Sequence, residues 1–251
     1  MSLLLTSLTA ALCAAAAPPA PGLPSPPVDA ASLVRDADRA RGGLAEGITW
    51  TVEVTSTEDG SATTTAYLVR ARGDDALAEV TAPAHAKGEK LLFSGGALWF
   101  IKPGLKKPVA VSTRQKLAGP AAAGDVASTN YARDYAAELV GEDDVGGAAA
   151  WRLELKATGP SATYDRIRYW VAKSGRQALK AEFLTVGGDV VKTATFEYDN
   201  KLTVAGKPLE LISRMTITDA MGEGAVSVVR FGAPKAEAHP ASIFTLESAV
   251  R

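Results

Sequence analysis

The stretch Ile48-Thr49-Trp50-Thr51-Val52-Glu53-Val54-Thr55 decides the fold class. Ile48, Trp50, Val52 and Val54 fall on one side of an extended chain. Thr49, Thr51, Glu53 and Thr55 fall on the other, the period-2 pattern of a half-buried strand. Glu58-Asp59-Gly60 reads as a hairpin turn, and alternation returns over 63–71. Outward from there, the same pattern and the turn residues predict strands over 77–81, 90–94, 97–102, 108–113, 150–157, 164–172, 178–186, 190–198, 209–218 and 225–231. The connections are rich in glycine: Gly95-Gly96, Gly187-Gly188 and Gly222-Glu-Gly224. No strand–helix–strand alternation calls for a parallel sheet. The reading is a mainly β chain with a few helices: one antiparallel, strongly curved sheet, an unclosed barrel of roughly ten or eleven strands.

Three segments carry helical spacing instead. Residues 28–41 (VDAASLVRDADRAR) form one amphipathic helix, with Asp29 as N-cap and Gly42-Gly43 as stop. Residues 130–140 repeat bulky side chains at Tyr131, Tyr135 and Leu139. They sit in a long connection, 114–145, whose Gly119-Pro120-Ala-Ala-Ala-Gly124 reads as flexible; such a connection inside a β-domain acts as a lid or plug. Residues 240–251 read as a last short helix or edge strand. At the other end, residues 1–17 read as a signal peptide and 18–27 as a proline-rich tether, leaving 28–251 as one domain. No Lys or Arg precedes the apolar run. Leu12 ahead of Cys13 disfavours a lipid anchor there, so the cysteine is expected to leave with the signal and the mature chain to be periplasmic.

Composition narrows the function classes. The chain of 251 residues has 27 Lys and Arg against 28 Asp and Glu, and a net charge of -1, so it lacks the basic excess a nucleic-acid binder needs. One cysteine and two histidines are too few for a Cys/His zinc site or an iron–sulfur cluster. No cofactor or metal is expected. His85 and His239 sit in loop-like contexts, no G-x-S-x-G elbow, P-loop or dinucleotide fingerprint occurs, and Glu142-Asp143-Asp144 reads as a solvated turn. Catalysis finds no support in these residues.

Face assignment carries the positive argument. Every strand sets an apolar row against a row of Thr, Glu, Lys or Arg, so the sheet has one dry and one wet face. Few helices are available to cover the dry face, so the sheet is expected to curl around them. The rows holding Trp50, Val52, Val54, Trp99, Ile101, Phe183, Met215 and Ile217 are placed together on the concave face as candidate ligand-lining residues. The same pattern arises if those residues only pack against helices.

Several stretches, in order, resemble the outer-membrane lipoprotein-sorting family of LolA-like periplasmic carriers. They are Lys87-Gly-Glu-Lys-Leu-Leu-Phe-Ser-Gly-Gly-Ala-Leu-Trp-Phe-Ile-Lys-Pro103, Pro108-Val-Ala-Val-Ser-Thr-Arg114, Gly124-Asp-Val-Ala-Ser-Thr-Asn-Tyr131, and Tyr164-Asp-Arg-Ile-Arg-Tyr-Trp-Val-Ala-Lys173 followed by Leu179-Lys-Ala-Glu-Phe183. The resemblance implies an unclosed barrel with a helical lid that carries acyl chains of lipids or lipoproteins as a monomer and is no enzyme. It implies an inner-membrane exporter and an outer-membrane receptor as partners. A lipid hydrolase using the same pocket, or a lipid-binding envelope-stress sensor, is the alternative. The chain departs from the family at Ala118-Gly-Pro-Ala-Ala-Ala-Gly124, where bulky apolar residues are usual.

Overall fold

A computed structural model describes residues 28–105, 107–127, 130–222 and 224–250. The signal peptide, the tether and Cys13 lie outside the described residues. Thirteen strands run β1 Ile48–Glu58, β2 Ser61–Arg72, β3 Asp75–Ala82, β4 Lys90–Ser94, β5 Ala97–Ile101, β6 Val109–Val111, β7 Tyr135–Val145, β8 Ala148–Ala157, β9 Arg166–Ala172, β10 Ala178–Leu184, β11 Val190–Glu197, β12 Arg214–Asp219 and β13 Val226–Phe231. With the short strand Lys235–Ala236 beside β1 they make one 14-stranded antiparallel sheet. This exceeds the ten or eleven strands expected, because β7 falls in a segment with helical spacing and the two-residue strand Lys235–Ala236 is too short to show periodicity.

Sheet order is β6-β5-β4-β3-β2-β1-β13-β12-β11-β10-β9-β8-β7. Two meanders of neighbouring hairpins are therefore joined by pairing the first strand with the last. Val52 lies opposite Phe231 and Val54 opposite Val229 in that join. The sheet does not close, since β6 and β7 are its two free edges. These edges are also consecutive in the chain, so the connector between them links one edge to the other, and its described residues 120–126 are buried.

The helix α1, Ala30–Ala40, starts as its sequence dictates. Asp29 accepts from the amides of Ala31 and Ser32, both at 3.1 Å. It ends at Gly42, φ 104, where a Cβ would come within 2.6 Å of the Trp50 ring. Its buried face carries Leu33, Val34, Ala37 and Ala40 against the concave side of the sheet.

The main correction concerns residues 130–140. Only Tyr131–Asp134 is helical (α3); the chain then enters β7, eleven residues long, paired along β8. A spacing of four is ambiguous, because it is one helical turn and also two strand periods. From Tyr135 onward burial alternates with period 2, and cross-strand pairing overrides the helical propensity of Ala136, Ala137 and Glu138. Glu142 and Asp143 belong to β7 rather than to a turn: Asp143 accepts from Trp170 Nε1 at 2.7 Å, and Glu142 pairs with Lys173. The expected strand 209–218 is two pieces, with Lys207–Leu211 hairpinned on Asn200–Val204 apart from the main sheet.

The wet face is organised by register. Arg168 lies directly opposite Glu154 on one neighbouring strand and Glu182 on the other, and bonds both, at 3.1 and 2.5 Å. Such pairs contribute roughly 0.2–1 kcal/mol each. Among the described residues no helix is long and apolar enough to cross a membrane.

Candidate ligand-binding site

The connector between the two sheet edges fills much of the concavity. Its small hairpin, Lys116–Ala118 with Ala121–Ala122, is followed by a helical turn, Ala123–Ala127 (α2). Residues 120–125 are buried. The stretch expected to be flexible is thus an inserted plug, and its small residues explain the fit. Ser56 of β1 and Ser227 of β13 form a buried hydroxyl pair at 2.6 Å. Ser227 Oγ also donates to Ala118 O at 2.8 Å and accepts from Ala121 N at 3.3 Å. Gly119, φ 51, passes so close that a Cβ would lie 2.9 Å from Ser56 Cβ. A Cβ on Gly124 would collide with Thr163. Bulky residues here could not approach the sheet so closely.

The plug is latched on its other side by Asp125. Tyr164 OH donates to its Oδ2 at 2.9 Å, and Ala122 N donates to the same oxygen at 2.8 Å. Tyr164 in turn stacks on Phe183, ring centroids 3.9 Å apart. Two stretches that are far apart in sequence, Gly124-Asp125 and the segment starting at Tyr164, therefore form one buried contact. Burial pushes the Asp125 carboxyl and the Tyr164 hydroxyl up, so the hydroxyl remains a donor.

Between the plug and strands β2 to β6 lies a cavity of about 250 Å³. Tyr67, Val80, Leu91, Phe100 and Val111 come from the five strands, and Leu117 and Ala123 from the connector. Each charged residue at its rim is engaged elsewhere. Glu89 pairs with Lys102 at 2.7 Å, Lys90 donates to Ala249 O at 2.8 Å, and Lys116 pairs with Glu58 at 2.9 Å. The Tyr67 hydroxyl is pushed up to about 12 by burial and by Glu89. The walls thus offer apolar contact, a neutral phenol and the Gln115 side chain. Sequence reasoning missed these lining residues, although Tyr67 was findable: it lies opposite Val52 in register.

Of the eight candidate residues, Trp50, Val52, Val54, Phe183, Met215 and Ile217 lie together in the main core on the concave side, beneath α1 and the plug. Trp99 and Ile101 do not. They face the opposite side of β5, in a separate cluster with Leu77, Leu92, Phe244 and Ala249. Leu98 and Phe100 hold the concave side instead. The run Leu98-Trp99-Phe100-Ile101 is apolar at every position, so alternation could not tell its faces apart. The C-terminal turns Ala241–Phe244 and Leu246–Ala249 bury the outer one.

A family model described as "Uncharacterized protein" matches residues 72–249. A LolA superfamily protein from Nitrosomonas europaea superposes with TM-score 0.78 at 29% identity, over 88% of this chain and 99% of that one. The chain belongs to the family that this model describes, and its fold is LolA-like. The LolA-like fold is shared with a putative outer membrane lipoprotein-sorting protein domain from Vibrio parahaemolyticus (TM-score 0.74, 18% identity, 88% and 98% covered). It is shared too with a DUF1329 family protein from Desulfovibrio piger (TM-score 0.73, 17% identity, 88% and 97% covered). No curated protein matches this LolA-like chain in sequence.

Neither histidine of the LolA-like protein lines the cavity. His85 is exposed in a single turn, Ala84–Ala86. His239 is buried against Thr49 Oγ1 at 2.9 Å and the Phe244 ring, near the start of β1. Among the described residues no three His, Cys, Asp or Glu side chains are grouped to hold a metal.

Electrostatically the unusual place is the end of α1. Arg41 is 1% exposed, with its guanidinium 4.4 Å from the Tyr131 ring centroid and 5.3 Å from that of Phe196. Asp38, one turn earlier, accepts from Ala132 N at 2.7 Å and so ties α1 to α3. Burial raises the Asp38 carboxyl to about 7, outweighing the opposing pull of Arg41.

Proposed function

We propose that this LolA-like protein is a periplasmic carrier that holds an acyl chain of a lipid or lipoprotein in the cavity beneath its plug. The supporting observation is the cavity itself: five consecutive strands and the connector each contribute apolar side chains to it, and its rim charges are already paired. Acyl burial contributes about 0.8 kcal/mol per methylene, so a stretch of about eight supplies roughly 6 kcal/mol before ordering costs. Trp50, Val52, Val54, Phe183, Met215 and Ile217 would extend this wall wherever the plug yields space to a longer chain. Delivery by such a carrier needs a loading and a receiving partner, an inner-membrane exporter and an outer-membrane receptor. Residues 1–17 would direct export.

The test is direct. Full-length protein is purified, extracted with organic solvent and analysed by mass spectrometry, then titrated with a fluorescent fatty acid. Co-purified lipid and micromolar binding are expected, with binding weakened at least tenfold by Phe100→Glu, a half-buried cavity position. If there is neither co-purified lipid nor fatty-acid binding, the carrier reading fails. A hydrolase reading would instead require turnover that depends on His85 or His239, and neither reaches the cavity.

A further inference from the structure

The Arg41 cluster holds six buried polar atoms that make no hydrogen bond of good geometry: Arg41 Nε and Nη1, Asp38 Oδ1 and the hydroxyls of Tyr131, Tyr169 and Tyr198, of which Tyr131 lies within reach of Arg41 and Tyr198 within reach of the Ala178 backbone. Buried polar groups in folded proteins are satisfied in about nine cases of ten, so six such atoms at one place call for an explanation. They are one group. Arg41 feels the fields of Tyr131, Tyr169, Asp38 and Tyr198, and the Tyr131 and Tyr169 rings meet edge-on at 5.6 Å. The elements that assemble them are α1, α3, β9 and the residue just after β11.

The chemistry of the cluster is that of donors. A guanidinium presents a planar fork that fits the two oxygens of a carboxylate or phosphate. Phenols donate single hydrogen bonds, and burial keeps these protonated: Tyr131 is pushed up to about 12, and Tyr169 well above its ordinary value. Asp38 is the nearby carboxylate, yet one of its oxygens is committed to Ala132 N and its burial favours the neutral form. The surrounding phenols and Asp38 favour the charged form of Arg41, while its Nε and Nη1 keep hydrogen-bonding capacity. Aromatic faces soften that charge without filling its hydrogen bonds.

We infer that Arg41, with the hydroxyls of Tyr131, Tyr169 and Tyr198, is an internal subsite for the anionic head of an acyl ligand, a carboxylate or a phosphate monoester. This inference rests on the carrier reading above and narrows its substrate class to anionic amphiphiles. Tyr131 of α3 covers Arg41, and two residues on the Arg133 guanidinium lies 4.7 Å from the ring of Phe93. Phe93 is two residues from the cavity-lining Leu91 on the same face of β4. Leu91, Phe93, Tyr131 and Tyr169 belong to one core cluster, so cavity wall and Arg41 cluster share the same interior.

Delipidated full-length protein is titrated with oleate and with methyl oleate, which share a chain and differ in head charge. Wild type is expected to bind oleate at least tenfold more tightly. Arg41→Met should bring the ratio to about one by weakening oleate more than methyl oleate, and Arg41→Lys should keep part of the preference. If Arg41→Met fails to fold, the paired change Tyr169→Phe with Tyr198→Phe carries the test through a smaller, severalfold loss of preference. Equal binding of acid and ester by wild type overturns the head-group assignment and leaves the carrier reading standing. A preference that survives both sets of substitutions also overturns it. Failure of both amphiphiles to bind overturns both readings. Inorganic phosphate alone binding as tightly as oleate would make this a free-anion site and overturn the head-group assignment.

Discussion

At Gly119 a single hydrogen atom separates a seated plug from a clash. Its φ is 51, and a methyl group there would lie 2.9 Å from Ser56 Cβ and from Ser227 Oγ. Gly119→Ala is expected to cost about 1–3 kcal/mol, read as a lower urea midpoint at unchanged slope. Asp38 makes a second residue-scale prediction. Its folded carboxyl titrates near 7 against 3.8 in an ordinary setting, so between those values the native chain holds a proton that the unfolded chain has released. Stability from this group is therefore full at low pH and falls as pH rises through 4 to 7, by at most about 1.4 kcal/mol per unit. Asp38→Asn keeps an oxygen for Ala132 N and removes the titration. Denaturation at pH 5 and pH 8 should show a smaller loss in the variant than in wild type. Equal losses would mean that Asp38 is ionised throughout.

Elements differ in how plainly their sequences announce them. The strand β1 was legible because each apolar residue has a polar neighbour; β4 matched its expected limits because Gly95-Gly96 and the apolar Leu91-Leu92-Phe93 bound it from both sides. The Asp29 cap and the Gly42 stop of α1 were equally clear. What stayed hidden depends on which element covers which face. The two faces of β5 are both apolar, and only the packing of the C-terminal turns assigns Trp99 and Ile101 to the outside. The connection was legible as a lid or plug, but the burial of its 120–124 stretch was hidden for the converse reason: alanines and glycines carry no pattern, and their burial follows from close backbone approach. The outer cluster supports its own prediction. Phe244, 2% exposed, closes it, so Phe244→Ala should cost about 3 kcal/mol and leave fatty-acid binding intact. Lost binding at unchanged stability would put the C-terminal turns at the ligand site instead.

For the whole molecule, a ligand that binds only the folded state raises its stability by RT ln(1 + [L]/Kd), about 2.7 kcal/mol at a hundredfold excess over Kd. In a domain of this size each kcal/mol moves Tm by about 2–4 °C, so saturating oleate should raise Tm by several degrees, visible in a thermal scan. An unchanged Tm would contradict binding to the native cavity. The strand order has a separate consequence. Since β1 pairs with β13 while β6 and β7 stay apart, each meander is built from local hairpins, and the two meet along a ladder from Val52–Phe231 to Thr57–Val226. The exposed turn at Pro103-Gly104 lies outside that ladder. A chain cut after Gly104 should therefore yield two pieces that find one another through β1 and β13 and reassemble without a covalent link. The fold is, in effect, a split protein with its two halves already encoded in sequence order, ready to serve as a complementation pair.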